Sequence, residues 1–224
     1  MFLGVDFLRA HRVLVAHSQQ RIYFTYGGGP VFRRSEPATS RTDPDTAVAD
    51  SDATIRADPR NAAAYFRRGN AWHEKKDYNR AIADYDASIR IEPGRASVFA
   101  NRGTAKRRSG DLDGAIADYA RAIEIDPGMA PAYNQLAWLL ATAERPAVRD
   151  GRRAVESALK ACDLTQWKNP TFIDTLAAAY ARTGNFEEAV KWQRKAMEKP
   201  RTANDGEAAQ RLRLYEENKA WPAD

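Results

Sequence analysis

"AIADYDASIRIEP" at residues 81–93 and "AIADYARAIEIDP" at residues 115–127 are nearly the same string, displaced by 34 residues. The same displacement upstream reaches "AVADSDATIRADP" at 47–59, which keeps the skeleton: Ala47, Ala81 and Ala115, then Asp50, Asp84 and Asp118, Ile55, Ile89 and Ile123, and Pro59, Pro93 and Pro127. Between these copies lie "AYFRRGNAW" (64–72) and "VFANRGTAK" (98–106), again 34 apart. Two further units follow with drift, "AYNQLAWLL" (132–140) with "AVESALKAC" (154–162), and "FIDTLAAAY" (172–180) with "AVKWQRKAM" (189–197). A fixed period of this size is the mark of a repeat array, and it has to be read before any single element.

Each unit holds two amphipathic helices of about 13 residues. Gly69 and Gly103 mark where the first helix must approach the second closely, with Ala81 and Ala115 facing them. Gly110 and Gly184 break the chain between helices, and Pro93 and Pro127 close the second helices. Asn169-Pro170 reads as an N-cap followed by proline in the first turn. One such pair cannot cover its own apolar face, so neighbours must stack into a solenoid.

The pattern resembles the tetratricopeptide repeat (TPR) family, which has an aromatic at position 4, small residues at 8 and 27, alanine at 20, an aromatic at 24 and proline near 32. Position 4 is Tyr65, Phe99, Tyr133 and Ile173, and position 8 is Gly69, Gly103, Ala137 and Ala177. Position 20 is Ala81, Ala115, Ala154 and Ala189, and position 27 is Ser88, Ala122, Ala161 and Ala196. The third unit departs by about five inserted residues within 142–151, and the fourth has Gln193 in place of the second aromatic. The expected fold is all-α: a TPR-type solenoid over 43–202, preceded by a short β-hairpin. Within it lie a half repeat at 43–59 and repeats at 60–94, 95–128, 129–168 and 169–202, followed by a capping helix over 203–221. In that helix Leu212, Leu214 and Tyr215 would lie against the last pair.

Position 7, usually leucine in this family, is Arg68 and Arg102 in the first two full units and Leu136 and Leu176 in the last two. Position 23 changes in step: Asp84 and Asp118, then Ser157 and Trp192. Arginine and aspartate come and go together. They are expected to pair within a unit or with the unit before, Asp50 being the earlier partner for Arg68.

Composition limits the function. Lysine and arginine number 35 against 30 acidic residues, a net charge of +5 with no block of like charge, so nucleic acid is not the expected partner. The single cysteine, Cys162, allows no disulfide within the chain, and His11, His17 and His73 do not cluster with it at metal-ligand spacing, so neither metal nor cofactor is expected. The N-terminal apolar run is interrupted by Asp6, Arg9, His11 and Arg12, too soon for a signal peptide or a membrane span. A cytoplasmic location is the expectation for the chain as encoded, and a periplasmic one if it is cut from a longer exported protein.

In the resembled family first helices line a concave surface that holds extended peptides or helices. The resemblance therefore implies a non-catalytic scaffold that binds a protein or peptide. Groove contacts would come from Phe66, Asn70, His73, Asn101, Thr104, Arg107, Asn134 and Trp138. The first helices of the first two full units are basic (Arg60, Arg67, Arg68, Lys75 and Lys76 against Glu74, then Arg102, Lys106, Arg107 and Arg108); a basic inner wall would favour an acidic peptide or a terminal carboxylate, and the alternative is that these are solvated helix faces. Family members that grip C-terminal carboxylates use lysine, asparagine, asparagine, lysine and arginine. The matching positions here are Phe66, Asn70, Asn101, Pro131 and Gln135, so the asparagines remain and the cations do not.

The first 32 residues do not follow the repeat. "RVLVAH" and "RIYFTY" have the branched and aromatic content of strands, Ser18-Gln19-Gln20 would turn between them, and "DFLRAH" looks like one helical turn. The run Phe2-Leu3-Gly4-Val5-Asp6-Phe7-Leu8, short helix, strand, turn, strand is similar to the C-terminal end of a retropepsin-like aspartic protease domain. The catalytic Asp-Thr/Ser-Gly of that family is missing: Asp45-Thr46-Ala47 and Asp174-Thr175-Leu176 lack the glycine. The resemblance implies an inactive remnant whose repeats would recruit a substrate or partner, as the alternative to a plain scaffold. Residues 33–42 read as a linker, and oligomeric state is not fixed by the sequence.

Overall fold

The computed structural model describes residues 12–16, 21–26, 29–30, 43–198 and 205–222. The chain divides into two compact units, 1–43 and 44–224. In the first, β1 (Arg12–Ala16) runs antiparallel to β2 (Arg21–Tyr26), with Arg12 opposite Thr25 and Ala16 opposite Arg21. A two-residue β3 (Gly29–Pro30) returns along the other edge of β2, with Pro30 opposite Thr25. The expected hairpin has two strands, so this short third strand is an addition to it. The expected helical turn, the Ser18–Gln20 turn and the 33–42 linker lie outside the described residues.

The second unit is helical. Its elements are α1 (Pro44–Ala57), α2 (Ala62–Glu74), α3 (Tyr78–Ile91), α4 (Ala96–Ser109), α5 (Leu112–Ile125), α6 (Ala130–Thr142), α7 (Gly151–Leu164), α8 (Pro170–Arg182), α9 (Phe186–Met197) and α10 (Asp205–Glu216). Side chains of Asn61, Asp77, Asp111, Asp150, Asn169 and Asn185 each accept a backbone N–H in the first turn of the helix that follows. Each such cap contributes about 1 kcal/mol. Gly110 and Gly184 take left-handed backbone, with φ of 92° and 81°, where a side chain would be strained. Helices pack as consecutive hairpins, α2 on α3, α4 on α5, α6 on α7 and α8 on α9, and each second helix packs on the next first helix.

The close approach inside a hairpin has a definite cause. A Cβ on Gly69 would stand 2.8 Å from the Tyr85 ring, and one on Gly103 would stand 2.9 Å from the Tyr119 ring. Both tyrosines are buried, and their rings fill the space that the missing side chains leave. The partner of each glycine is therefore the aromatic of the second helix as well as the backbone at Ala81 and Ala115. In the last two units the position is Ala137 or Ala177, and the facing position holds Ala158 or Gln193.

Arg68 and Arg102 each bridge two second helices. The Nε and Nη2 of Arg68 donate to Asp84 at 2.8 and 2.6 Å, and its Nη1 donates to Asp52 at 2.5 Å. Arg102 repeats this with Asp118 at 2.8 and 2.6 Å and Asp86 at 2.6 Å. The pairing within a unit is as expected, but the partner in the unit before is Asp52, not Asp50. Two residues turn a helix by about 200°, so the aspartate that faces its own hairpin cannot also face the next.

The inserted segment after α6 folds into a 3₁₀ turn at Pro146–Val148, with Val148 buried in the core. Arg149 Nε donates to the Ala143 carbonyl at 2.6 Å and the Asp150 amide to the Leu140 carbonyl at 3.0 Å, so the insertion satisfies the open end of α6. At the far end, α10 packs on α9 and α8. Tyr215 is buried and Leu214 packs beside it, while Leu212 is half-buried. The cap helix stops at Glu216 rather than running to residue 221. Asn218 takes left-handed backbone with φ of 57°, and the Lys219 amide reaches back to the Leu214 carbonyl at 2.8 Å. That is a Schellman ending, which asparagine tolerates.

This cap also makes a buried polar contact. Arg211 and Asp174 are 3% and 5% exposed, and Arg211 Nη2 donates to both Asp174 oxygens at 3.0 and 2.8 Å. Gln193 Nε2 donates to Asp174 Oδ1 at 2.7 Å. Gln193, the anomaly of the fourth unit, completes this buried group.

Candidate functional site

The expected contact residues fall on the first helices α2, α4 and α6. Two recesses open along this row. The first holds about 270 Å³ and is lined by Asn70, His73, Glu74, Tyr85, Asn101 and Thr104. Asn70 Oδ1 accepts from the Tyr85 hydroxyl at 2.9 Å and from Asn101 Nδ2 at 2.8 Å. The two amides are thereby fixed to each other across adjacent units. Thr104 Oγ1 donates to the Ala100 carbonyl at 3.0 Å and accepts from the Tyr119 hydroxyl at 3.1 Å. The equivalent tyrosines thus brace the row from behind in two successive units. Burial raises the Tyr85 hydroxyl above the usual tyrosine range, so it stays a donor.

His73 stands at the end of the first recess with its buried Nε2 unpartnered among the described residues, and its ring lies 5.5 Å from that of Tyr78. Burial lowers its pKa, Arg108 and Arg107 add to the shift, and Glu74 opposes it. The imidazole is therefore neutral at pH 7.

The second recess holds about 630 Å³. The last turn of α4 supplies Arg107 and Arg108, and α6 supplies Trp138, Leu139 and Thr142. Trp221 and Pro222, carried by the segment after α10, form part of the same lining. Arg211 lies 5.6 Å from the Trp138 ring and 6.0 Å from the Trp221 ring. Arg182 on α8 donates through Nε to the Ala141 carbonyl at 2.8 Å and through Nη2 to the Trp221 and Pro222 carbonyls at 3.2 and 3.3 Å.

Asn70, His73, Asn101 and Thr104 thus come together around one recess, and Arg107 and Trp138 around the next. Phe66 is half-buried, 6.0 Å from the Tyr85 ring, with the Arg95 guanidinium over its face at 5.6 Å. Asn134 is buried at 8% exposed, with Oδ1 unpartnered among the described residues. Among the described residues no three of His, Cys, Asp or Glu gather into a metal-binding group, and no helix is long and apolar enough to cross a membrane.

Family profiles described as tetratricopeptide repeat match residues 40–96, 96–129 and 171–202, in register with the hairpins. The chain carries tetratricopeptide repeats. Solved structures with the same TPR architecture include MamA, 23% identical with a TM-score of 0.62 over 70% of this chain and 88% of that one. Another is YrrB, described as a TPR protein with an unusual peptide-binding site, at 21% identity and a TM-score of 0.57 over 69% and 77% of the two chains. A third is TTC0263, a thermophilic TPR protein of Thermus thermophilus, at 18% identity and a TM-score of 0.57 over 77% and 90%. At these identities the likeness is one of fold. No curated protein matches this sequence closely enough to count as a relative. The likeness of residues 1–32 to a retropepsin-like domain finds no support in these comparisons; the TPR matches begin at residue 40.

Four residues of the neighbourhood were not legible as such in the repeat pattern: Arg182, Gln193, Arg211 and Trp221. Two polar anomalies in one unit left a trace of this group. Gln193 replaces an expected aromatic, and Asp174 is a carboxylate in a run of apolar residues.

Proposed function

We propose that this protein is a non-catalytic scaffold that binds a segment of another protein along the first helices of its TPR array. One observation carries the reading: Asn70 and Asn101, on the first helices of successive units, are hydrogen-bonded to each other beside a recess that both line. Amides that are already hydrogen-bonded to each other lose little freedom when they meet a peptide backbone. The Asn70–Asn101 pair, backed by Tyr85, is such an arrangement. Arg107 and Arg108 at the end of α4 favour an acidic ligand over a basic one. The peptide-binding site named for YrrB supports the idea that this architecture accommodates such a ligand, at a fold-level likeness only.

The test is affinity capture from lysate with the full chain, compared with the Asn70→Ala/Asn101→Ala double variant, both checked for helicity by circular dichroism. The expected result is a discrete set of captured proteins that the double variant loses. Capture that survives the double variant unchanged removes the first-helix row as the binding surface.

A further inference from the structure

Resting on that reading, we infer that the second recess is a pocket for an acidic side chain followed by an apolar one in a partner's peptide. Arg107 and Arg108 line the recess, and neither has an ion-pair partner among the described residues. The buried Nε–H of Arg107 has no acceptor among them. A guanidinium without an ion-pair partner is a ready donor, and a bond from guanidinium to carboxylate is among the stronger ones available. The other cations nearby are committed. Arg145 pairs with Asp113 at 2.5 Å, Arg211 is bound to Asp174, and Arg182 is used on backbone carbonyls. The acid on the rim is Glu144.

The rest of the recess is apolar and aromatic. Leu112 and Leu139 contribute to its lining beside the indoles of Trp138 and Trp221. Its volume of about 630 Å³ is in the range of pockets that bury a compact ligand. The wall made by Trp221 and Pro222 is held rather than loose. Arg182 donates to both of their carbonyls, and the Arg211 guanidinium stands against both indoles. The pocket is therefore built before the ligand arrives. It joins cations that lack a partner to aromatic faces, and this combination selects a Glu or Asp beside a Phe, Leu or similar residue. This site differs from the Asn70–Asn101 pair, and it does not require a free chain terminus in the ligand.

The probe is the blocked peptide acetyl-Gly-Glu-Phe-Glu-Gly-amide, titrated into the ¹⁵N-labelled chain while the indole N–H signals of its five tryptophans are followed. Its twins carry Lys for Glu, or Ala for Phe. The expected result is a saturable shift of the Trp138 and Trp221 signals with the parent peptide. Each twin, and the Arg107→Gln variant with the parent peptide, should bind at least tenfold more weakly. Equal binding of the lysine twin, shifts confined to Trp72, Trp167 or Trp192, or no shift at millimolar peptide would each overturn the proposal. The two readings fail separately. If the asparagine double variant loses its captured partners while Arg107→Gln keeps them, the first-helix row stands and the acidic–apolar pocket does not.

Discussion

At the scale of single residues, the hairpins depend on what is missing at position 8. Alanine at Gly103 would favour the helix locally by about 1 kcal/mol. Its Cβ would also fall 2.9 Å from Tyr119 Cε1, in a ring with nowhere to go. Overpacking of this kind costs about 1–3 kcal/mol, so Gly103→Ala is expected to destabilise in urea unfolding. In a Tyr119→Ala background the same change should be neutral or stabilising, and additive effects in this cycle would refute the contact as the cause. His73 offers a second measurement. Its shift is downward, led by burial and then by Arg108 and Arg107, so the fold favours the neutral ring. Its contribution to stability is complete above its ordinary value of 6.5 and is lost as pH falls below that toward the lowered folded value. An NMR titration should place its midpoint below 6.5, and Arg108→Ala should move the midpoint up. The arginine–aspartate pairing was legible at this scale, because Arg68 with Asp84 and Arg102 with Asp118 vanish together in later units. Asp52 and Asp86 were not, because the face of a helix that meets the next unit depends on how that helix is rotated in the stack.

At the scale of elements, the C-terminal helix illustrates a different kind of adhesion. Most junctions in the array bury apolar side chains, but α10 is held by Arg211 on Asp174, with Gln193 completing the group. Removing one partner of a buried pair leaves the other uncompensated, at about 3–5 kcal/mol. Arg211→Met should therefore loosen α10, read as faster hydrogen exchange in that helix and a lower Tm. Asp174→Asn in the same chain should restore most of the loss, because asparagine still accepts from Gln193 without a charge. Equal damage from the single and double variants would mean that packing of Tyr215, not the ion pair, holds the helix. The sequence made the existence of this helix plain through its amphipathic pattern. It did not make its end plain, because the stop comes from the left-handed turn at Asn218, and a single asparagine does not by itself fix where a helix ends.

At the scale of the whole array, stability is distributed unevenly. The largest buried cluster spans α5 to α9, whereas α1 buries Ser51 alone. In arrays whose units touch only their neighbours, local opening follows local burial. Native-state hydrogen exchange should therefore be fastest in α1 and slowest in α6 and α8. Uniform protection across all helices would show a single cooperative block instead. The fold at this scale was written in the period of 34, which needs no knowledge of contacts. The wall of the second recess was not, since Trp221 is tied to α6 through Arg182, a residue remote from both in the chain, and through Arg211. Asp52 meets Arg68 and Asp86 meets Arg102, but the same seats further along hold Ala120 with Leu136 and Leu159 with Leu176. The seams change from ionic to greasy halfway along the chain. The modules are thus not interchangeable bricks: a unit transplanted across that midpoint would bring a charge to a neighbour unable to answer it, so their order is written into the joints.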